Sequence, residues 1–323
     1  MLPLLAGCDG PTVVLGDSSP RPYHFATPVL VTELASPART DNPTLTADLR
    51  EIFFTTDRDS GNGDVWVATR ASPSAPFGAA EPVGAVNTDA FETSAAISGD
   101  GLTLWFGSDR AGGAGGVDVW VAQRSARGAA WSTPVNVVAL NSPEDDIPRP
   151  PGQHGLVMPM ASARPAARDP SGTYQTYLTA RAGAGASFGA PVAIAELDYT
   201  NRSTVDGFLT DDGLTLFFSS APGGADAGAA PGDLYVAWRR STDGPFDVTQ
   251  PLDDLNTAAD ERDPWLSPDG GTLYFTSDRS GVLQIYTAAV APRSLAHMRL
   301  TPAPVGSSMP LIRPTPGTSR GAR

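Results

Sequence analysis

The sequence contains no lysine: all 22 of its basic residues are arginine. That absence removes the P-loop lysine, the Schiff-base lysine and the kinase strand lysine. A single cysteine, Cys8, excludes a disulfide framework and a thiolate zinc site. Only three histidines are present, His24, His154 and His297. They are too scattered for an H-E-x-x-H pair, and no spacing supports a Ser-His-acid triad. No stretch approaches the ~18 consecutive apolar residues of a transmembrane helix. Positive charge is scarce, with 22 basic against 35 acidic residues and a net charge of -13. That balance argues against nucleic acid, whose phosphates attract basic surface. Helical periodicity is also missing, because 34 glycines and 31 prolines interrupt every candidate run. What is present is a 41% hydrophobic chain of 323 residues, enough to build a core and too apolar for global disorder.

A repeat organises the chain. One copy reads Gly101-Leu-Thr-Leu-Trp-Phe-Gly-Ser-Asp-Arg110, then Asp118-Val-Trp-Val-Ala122. Others are Asp48-Leu-Arg-Glu-Ile-Phe-Phe-Thr-Thr-Asp-Arg58 with Asp64-Val-Trp-Val-Ala68, and Asp212-Gly-Leu-Thr-Leu-Phe-Phe-Ser-Ser220 with Asp233-Leu-Tyr-Val-Ala237. A further copy is Asp269-Gly-Gly-Thr-Leu-Tyr-Phe-Thr-Ser-Asp-Arg279 with Gln284-Ile-Tyr-Thr-Ala288. The degenerate copy, His154-Gly-Leu-Val-Met-Pro-Met-Ala-Ser-Ala-Arg164, loses both the Asp-Gly and the Asp-Arg pair. Each copy follows an aromatic residue and a Pro-Val or near match, at Phe25, Phe77, Trp131, Phe188 and Phe246. These aromatics recur at intervals of 52, 54, 57 and 58 residues. Each period carries four short β-rich runs between Gly, Asp and Pro turns. The Asp-Gly pairs suit tight hairpins, because both residues tolerate positive φ. Four strands per repeat at such a period describe a β-propeller blade.

The motif resembles the WD40-like repeat of the TolB-like β-propeller family, with Pro264–Arg279 matching it closely over Pro-x-Leu-Ser-x-Asp-Gly and Ser-Asp-Arg. The resemblance spans about 265 residues and implies an all-β propeller. The order of runs adds a prediction. An aromatic-Pro-Val run precedes the first core motif, and none follows the last. The N-terminal run should therefore complete the last of five four-stranded blades, leaving no open sheet edge. Six blades would need strands from 302–312, which are too rich in proline.

Four segments follow. Residues 1–8 end in Leu5-Ala6-Gly7-Cys8, which resembles the lipobox of bacterial lipoproteins, cut before the cysteine that is then acylated. Only seven residues precede Cys8 and none is basic, so the expectation is a truncated signal. Residues 9–24 read as a linker, 25–291 as the propeller and 292–323 as a Pro/Arg-rich disordered tail. The expected setting is export, to the periplasm or cell surface, with the membrane reached only through the lipid on Cys8. Gly317-Thr-Ser-Arg-Gly321 matches the G-x-S-x-G elbow by letters but lacks room for its strand-turn-helix.

Candidate chemistry is carboxylate chemistry. Asp57-Arg58, Asp109-Arg110 and Asp278-Arg279, with Asp64, Asp118 and Asp233, recur once per blade, as a fold device does and a unique site does not. A second series lies where each innermost strand should begin: Asp41, Glu92, Asp146, Asp206, Glu261 and Asp263, with Arg262 as counter-charge. These would ring one mouth of the central channel. Such a ring binds calcium through oxygen, houses a catalytic pair as in five-bladed glycosidases, or forms a solvated rim. Phe91 and Trp265 would add aromatic contact area. The expectation is a non-enzymatic binding scaffold at the cell envelope, without a cofactor unless calcium sits at the mouth. Its partner would be a protein or small ligand, more often cationic than not. The competing expectations are a carbohydrate-active hydrolase using paired mouth carboxylates, and a structural envelope protein with no ligand.

Overall fold

A computed structural model describes residues 23–59, 61–167, 173–222 and 230–291. Cys8, most of the expected linker, the 292–323 tail and its Gly317–Gly321 match lie outside the described residues. The described residues form five four-stranded antiparallel sheets and no helix. The first blade runs Thr40–Leu45, Glu51–Thr56, Asp64–Thr69 and Glu81–Pro82; the second Glu92–Ile97, Thr103–Ser108, Asp118–Gln123 and Val135–Asn136. The third runs Asp146–Pro148, Val157–Ser162, Gln175–Ala180 and Val192–Ala193; the fourth Arg202–Leu209, Thr215–Pro222, Asp233–Trp238 and Val248–Pro251. The fifth takes Glu261–Leu266, Thr272–Ser277 and Gln284–Ala289 from the end of the chain and Val29–Leu30 from its start. Val29 faces Thr287 and Leu30 faces Tyr286, so the ring closes as the order of runs predicts. The innermost strands pack side by side around a central channel, the fifth beside the first, except that Arg202–Leu209 of blade four packs on Val157–Ser162 of blade three and not on the short Asp146–Pro148.

The repeat motif explains the blade. In the hairpin after the innermost strand, Ser98 Oγ donates to Asp100 Oδ1 (2.6 Å), which also accepts from Leu102 N (2.9 Å). Thr210–Asp212 and Ser267–Asp269 repeat the arrangement. Gly101, Gly213 and Gly270 follow with φ of 77°, 70° and 69°, a conformation that costs a side chain strain. The alternating Leu-x-Phe residues of the second strands fill the clefts between blades, where Phe53, Phe54, Phe106, Phe217, Phe218 and Phe275 are all fully buried.

Two kinds of arginine, each present in four of the five repeats, staple this packing, and their geometry accounts for the preference over lysine. The first ends the second strand. Nη2 of Arg58, Arg110, Arg164 and Arg279 donates to the carbonyls of Leu34, Val86, Leu140 and Leu255 at 2.5–2.8 Å. The same guanidiniums lie over Trp66, Trp120, Tyr177 and Tyr286 at 4.9–5.4 Å. The degenerate third repeat thus keeps the working half of its Asp-Arg pair. The second arginine follows the third strand. Arg70, Arg124, Arg181 and Arg239 lie 4.3–4.8 Å over Phe77, Trp131, Phe188 and Phe246, the aromatics that open each outer run. Their Nε atoms donate to hairpin carbonyls at 2.6–2.8 Å. A planar guanidinium stacks and donates together; an ammonium does not.

Candidate functional site

The innermost strands are not regular. In blades one, two and five the register shifts at the third residue, and in blade four at the fifth. There Asn42, Ser94, Asp206 and Asp263 adopt φ of 54°, 51°, 59° and 55°. Asn and Asp tolerate this left-handed conformation better than most residues. Blade three places Pro148 at the equivalent position, whose ring fixes a negative φ. Its neighbour Arg149 enters the channel instead, with only 1% of its side chain exposed.

These residues meet at mid-channel. Arg149 Nη1 donates to Asn42 Oδ1 (2.6 Å) and Asp263 Oδ1 (3.3 Å) and lies 3.8 Å from Asp206 Oδ1. Ser94 Oγ donates to Asn42 Oδ1 (3.0 Å), and Asn42 N to Asp263 Oδ2 (3.1 Å). Thr276 and Ser219 donate to Asp263 and Asp206. Arg149 Nε and Nη2 have no hydrogen-bond partner among the described residues. Burial, reinforced by Asp263, raises the Asp206 carboxyl to about 7 against the pull of Arg149. Burial likewise raises Asp41 to about 6 despite Arg39, whose Nη1 is 3.2 Å away. Arg39, Arg149 and Arg262 supply positive charge beside these carboxylates.

The expected ring of mouth carboxylates divides. Glu92, Asp146 and Glu261 are fully buried and paired with Arg110, Arg164 and Arg279. Glu92 also accepts from Thr88 N, Thr88 Oγ1 and Ser108 Oγ, and Glu261 repeats this with Thr257 and Ser277. They anchor the first arginine staple and form no open rim, which corrects the expectation for these three. The pairing arises because a strand's first residue lies opposite the last residue of its neighbour, beside the arginine that follows. Asp41, Asp206 and Asp263 do converge, inside the channel. Arg262 is held at its upstream end by Asp260 (2.7 Å). Phe91 and Trp265 also part company. Phe91 precedes an innermost strand and lies 5.8 Å from Arg39, whereas Trp265 is the fifth residue of Glu261–Leu266.

Trp265 belongs to a feature the sequence reading did not find. At the downstream ends of the innermost strands, residues from all five blades line a funnel of about 350 Å³. Leu45, Ile97, Pro150, Pro151, Phe208, Leu209, Trp265 and Leu266 supply apolar wall, Tyr23 joins them from the N-terminal segment, and Asp211, Asp212 and Asp269 stand at the rim. Phe208 and Trp265 lie 5.9 Å apart, ring to ring. That size falls in the range of small-molecule sites. The only sequence signal was that each Ser/Thr-x-Asp hairpin must gather at one end of the ring.

No protein-family model and no curated protein sequence matches the chain. Solved structures do. An endo-arabinase from Bacteroides thetaiotaomicron shares 13% identity at a TM-score of 0.54, over 84% of this chain and 98% of that one. A thermostable family-43 glycoside hydrolase shares 10% at 0.53, over 79% and 89%. TolB from Acinetobacter baumannii shares 14% at 0.49, and this chain spans 56% of its length. At these identities the likeness defines the class alone: the chain is a five-bladed β-propeller.

Proposed function

We propose that this chain is a non-enzymatic, ligand-binding β-propeller of the cell envelope, of the TolB-like kind and anchored by lipid on Cys8. Its binding site is the downstream funnel. The observation that carries this reading is a division of labour: Glu92, Asp146 and Glu261 are consumed by the blade staples. The funnel, by contrast, gathers apolar wall and exposed carboxylates at one place. Thermal-shift screening of the purified protein against small amines, neutral sugars and carboxylates tests it. A stabilising compound should lose its effect in Phe208→Ala and keep it in Glu92→Gln; dependence on Glu92 instead overturns the reading. Anchoring is tested separately by palmitate incorporation in cells, which Cys8→Ala should abolish.

A second reading, a carbohydrate-active hydrolase, draws on one observation. Asp206 and Asp263 lie within 4 Å of the same arginine nitrogen, with Asp206 raised to about 7. A pair of neighbouring carboxylates is what glycoside hydrolysis uses. Against it, Asp263 is 3% exposed and already engaged by Asn42 N and Thr276. Release of reducing sugar from arabinan, abolished by Asp206→Asn, would establish it.

A further inference from the structure

The funnel carries an uneven charge, and the unevenness identifies a ligand class. On the first-blade side, the nearby acids Asp48 and Glu51 lie outside the funnel lining and are paired, with Arg127 at 2.6 Å and Arg124 at 2.5 Å. On the side of blades four and five, Asp211, Asp212 and Asp269 are exposed and, among the described residues, none forms an ion pair with a basic side chain. Among the described residues, no arginine or histidine lines the funnel. The hydrogen bonds these acids make are donated to them: His154 N to Asp211, Thr210 and Leu214 N to Asp212, Ser267 and Gly271 N to Asp269. Such donors favour the ionised form, and Asp269 is held below the ordinary carboxylate range, first by Ser267. Beneath this one-signed rim lie Phe208, half-buried, and Trp265, 4% exposed, and Tyr23 also lines the funnel.

We propose that the funnel binds an organic cation with an apolar body, an aryl- or alkylammonium, its charge among Asp211, Asp212 and Asp269 and its body against Phe208 and Trp265. The proposal rests on the reading of the funnel as the binding site and adds the ligand's charge. An ammonium gains twice there, from the carboxylates and from the negative faces of the rings. A carboxylate of the same shape meets repulsion, and a neutral isostere keeps only the apolar contact.

Three isosteric probes separate these contributions by calorimetry on the whole chain: phenethylammonium, phenethyl alcohol and phenylacetate. The expected order is ammonium first, by about tenfold over the alcohol at low salt, with phenylacetate undetectable. Raising the salt should shrink the tenfold gap. In the triple variant Asp211→Asn, Asp212→Asn, Asp269→Asn, the turn hydrogen bonds have acceptors still, so the fold is kept. There the ammonium should bind no better than the alcohol. Equal binding of ammonium and alcohol to the wild type, with both lost in Phe208→Ala, would overturn the charge proposal and leave the funnel as a site. Failure of all three probes to bind would overturn both.

Discussion

Arg279→Ala is the sharpest test of how the ring is held. Arg279 Nη2 donates to Leu255 O (2.8 Å) and Glu261 Oε1 (3.0 Å), and Nε to Ser277 Oγ (2.9 Å). Its guanidinium lies 5.1 Å from the Tyr286 ring and 5.3 Å from Phe275. Truncation leaves Glu261 fully buried without its counter-charge. Breaking a buried pair from one side costs about 3–5 kcal/mol. The orphaned Leu255 carbonyl adds about 1–3 kcal/mol, and the lost ring contacts about 0.5–2 kcal/mol. Two effects offset part of this. Thr257 and Ser277 still donate to Glu261, and the cleft left by a 21%-exposed arginine admits water. The net expectation is a loss of about 3–5 kcal/mol, near the cost of breaking the pair alone. Glu261→Gln in the Arg279→Met background should cost much less than the sum of the single changes, because no charge is then left buried. Urea denaturation of the four proteins in this double-mutant cycle gives a coupling energy, expected near 2 kcal/mol. An Arg279→Ala loss below about 1 kcal/mol, or strict additivity, would refute the staple.

The remaining predictions concern the channel and the ring. Asp41 and Asp206 bind protons more tightly folded than unfolded, where carboxyls titrate near 4. Their contribution to stability is therefore full at low pH and is lost as pH rises through about 6 for Asp41 and about 7 for Asp206. Urea melts should show this part of the stability falling by about 1–3 kcal/mol between pH 5.5 and 7.5, with a flatter slope in Asp206→Asn. Identical slopes would show that Asp206 keeps an ordinary affinity beside Asp263, Arg149, Arg262 and Ser219. Gly152→Ala should destabilise by about 1–3 kcal/mol, since the new methyl would lie 2.4 Å from the Leu209 carbonyl oxygen of the next blade. An unchanged melting temperature would mean that blades three and four yield to it. Glu92→Gln should weaken folding but leave phenethylammonium affinity unchanged, read by calorimetry on the folded fraction.

The ring was legible because its cause is periodic. Leu-x-Phe in each second strand, Ser/Thr-x-Asp-Gly in each hairpin and an aromatic before each outer run recur in register. The missing outer run after Ala289 even revealed the closure. The site was less legible because it depends on what breaks the repeat. Asn42, Ser94, Asp206 and Asp263 share a position only visible once the strand bulge is known, and Arg149 matters because Pro148 forbids that bulge. A count of carboxylates near strand starts could not separate Glu92, one residue into its strand and sealed beneath Arg110, from Asp263, two residues further along and inside the channel. The downstream funnel went unread for a similar reason. Its aromatics, Phe208 and Trp265, occupy strand positions that look like ordinary core, and its acids look like turn formers, which they also are. The all-arginine composition, first a list of excluded chemistries, is better explained by eight stacked guanidiniums that lysine could not replace.

The central claim is the location of the site: the downstream funnel, and not the upstream carboxylates. A crystal structure of the protein soaked with phenethylammonium tests it most directly. The account predicts the ring against the exposed side of Phe208 and the nitrogen within hydrogen-bond reach of Asp211, Asp212 or Asp269. Density for the amine at Asp41 or Asp206 instead, with the funnel left to solvent, would contradict it.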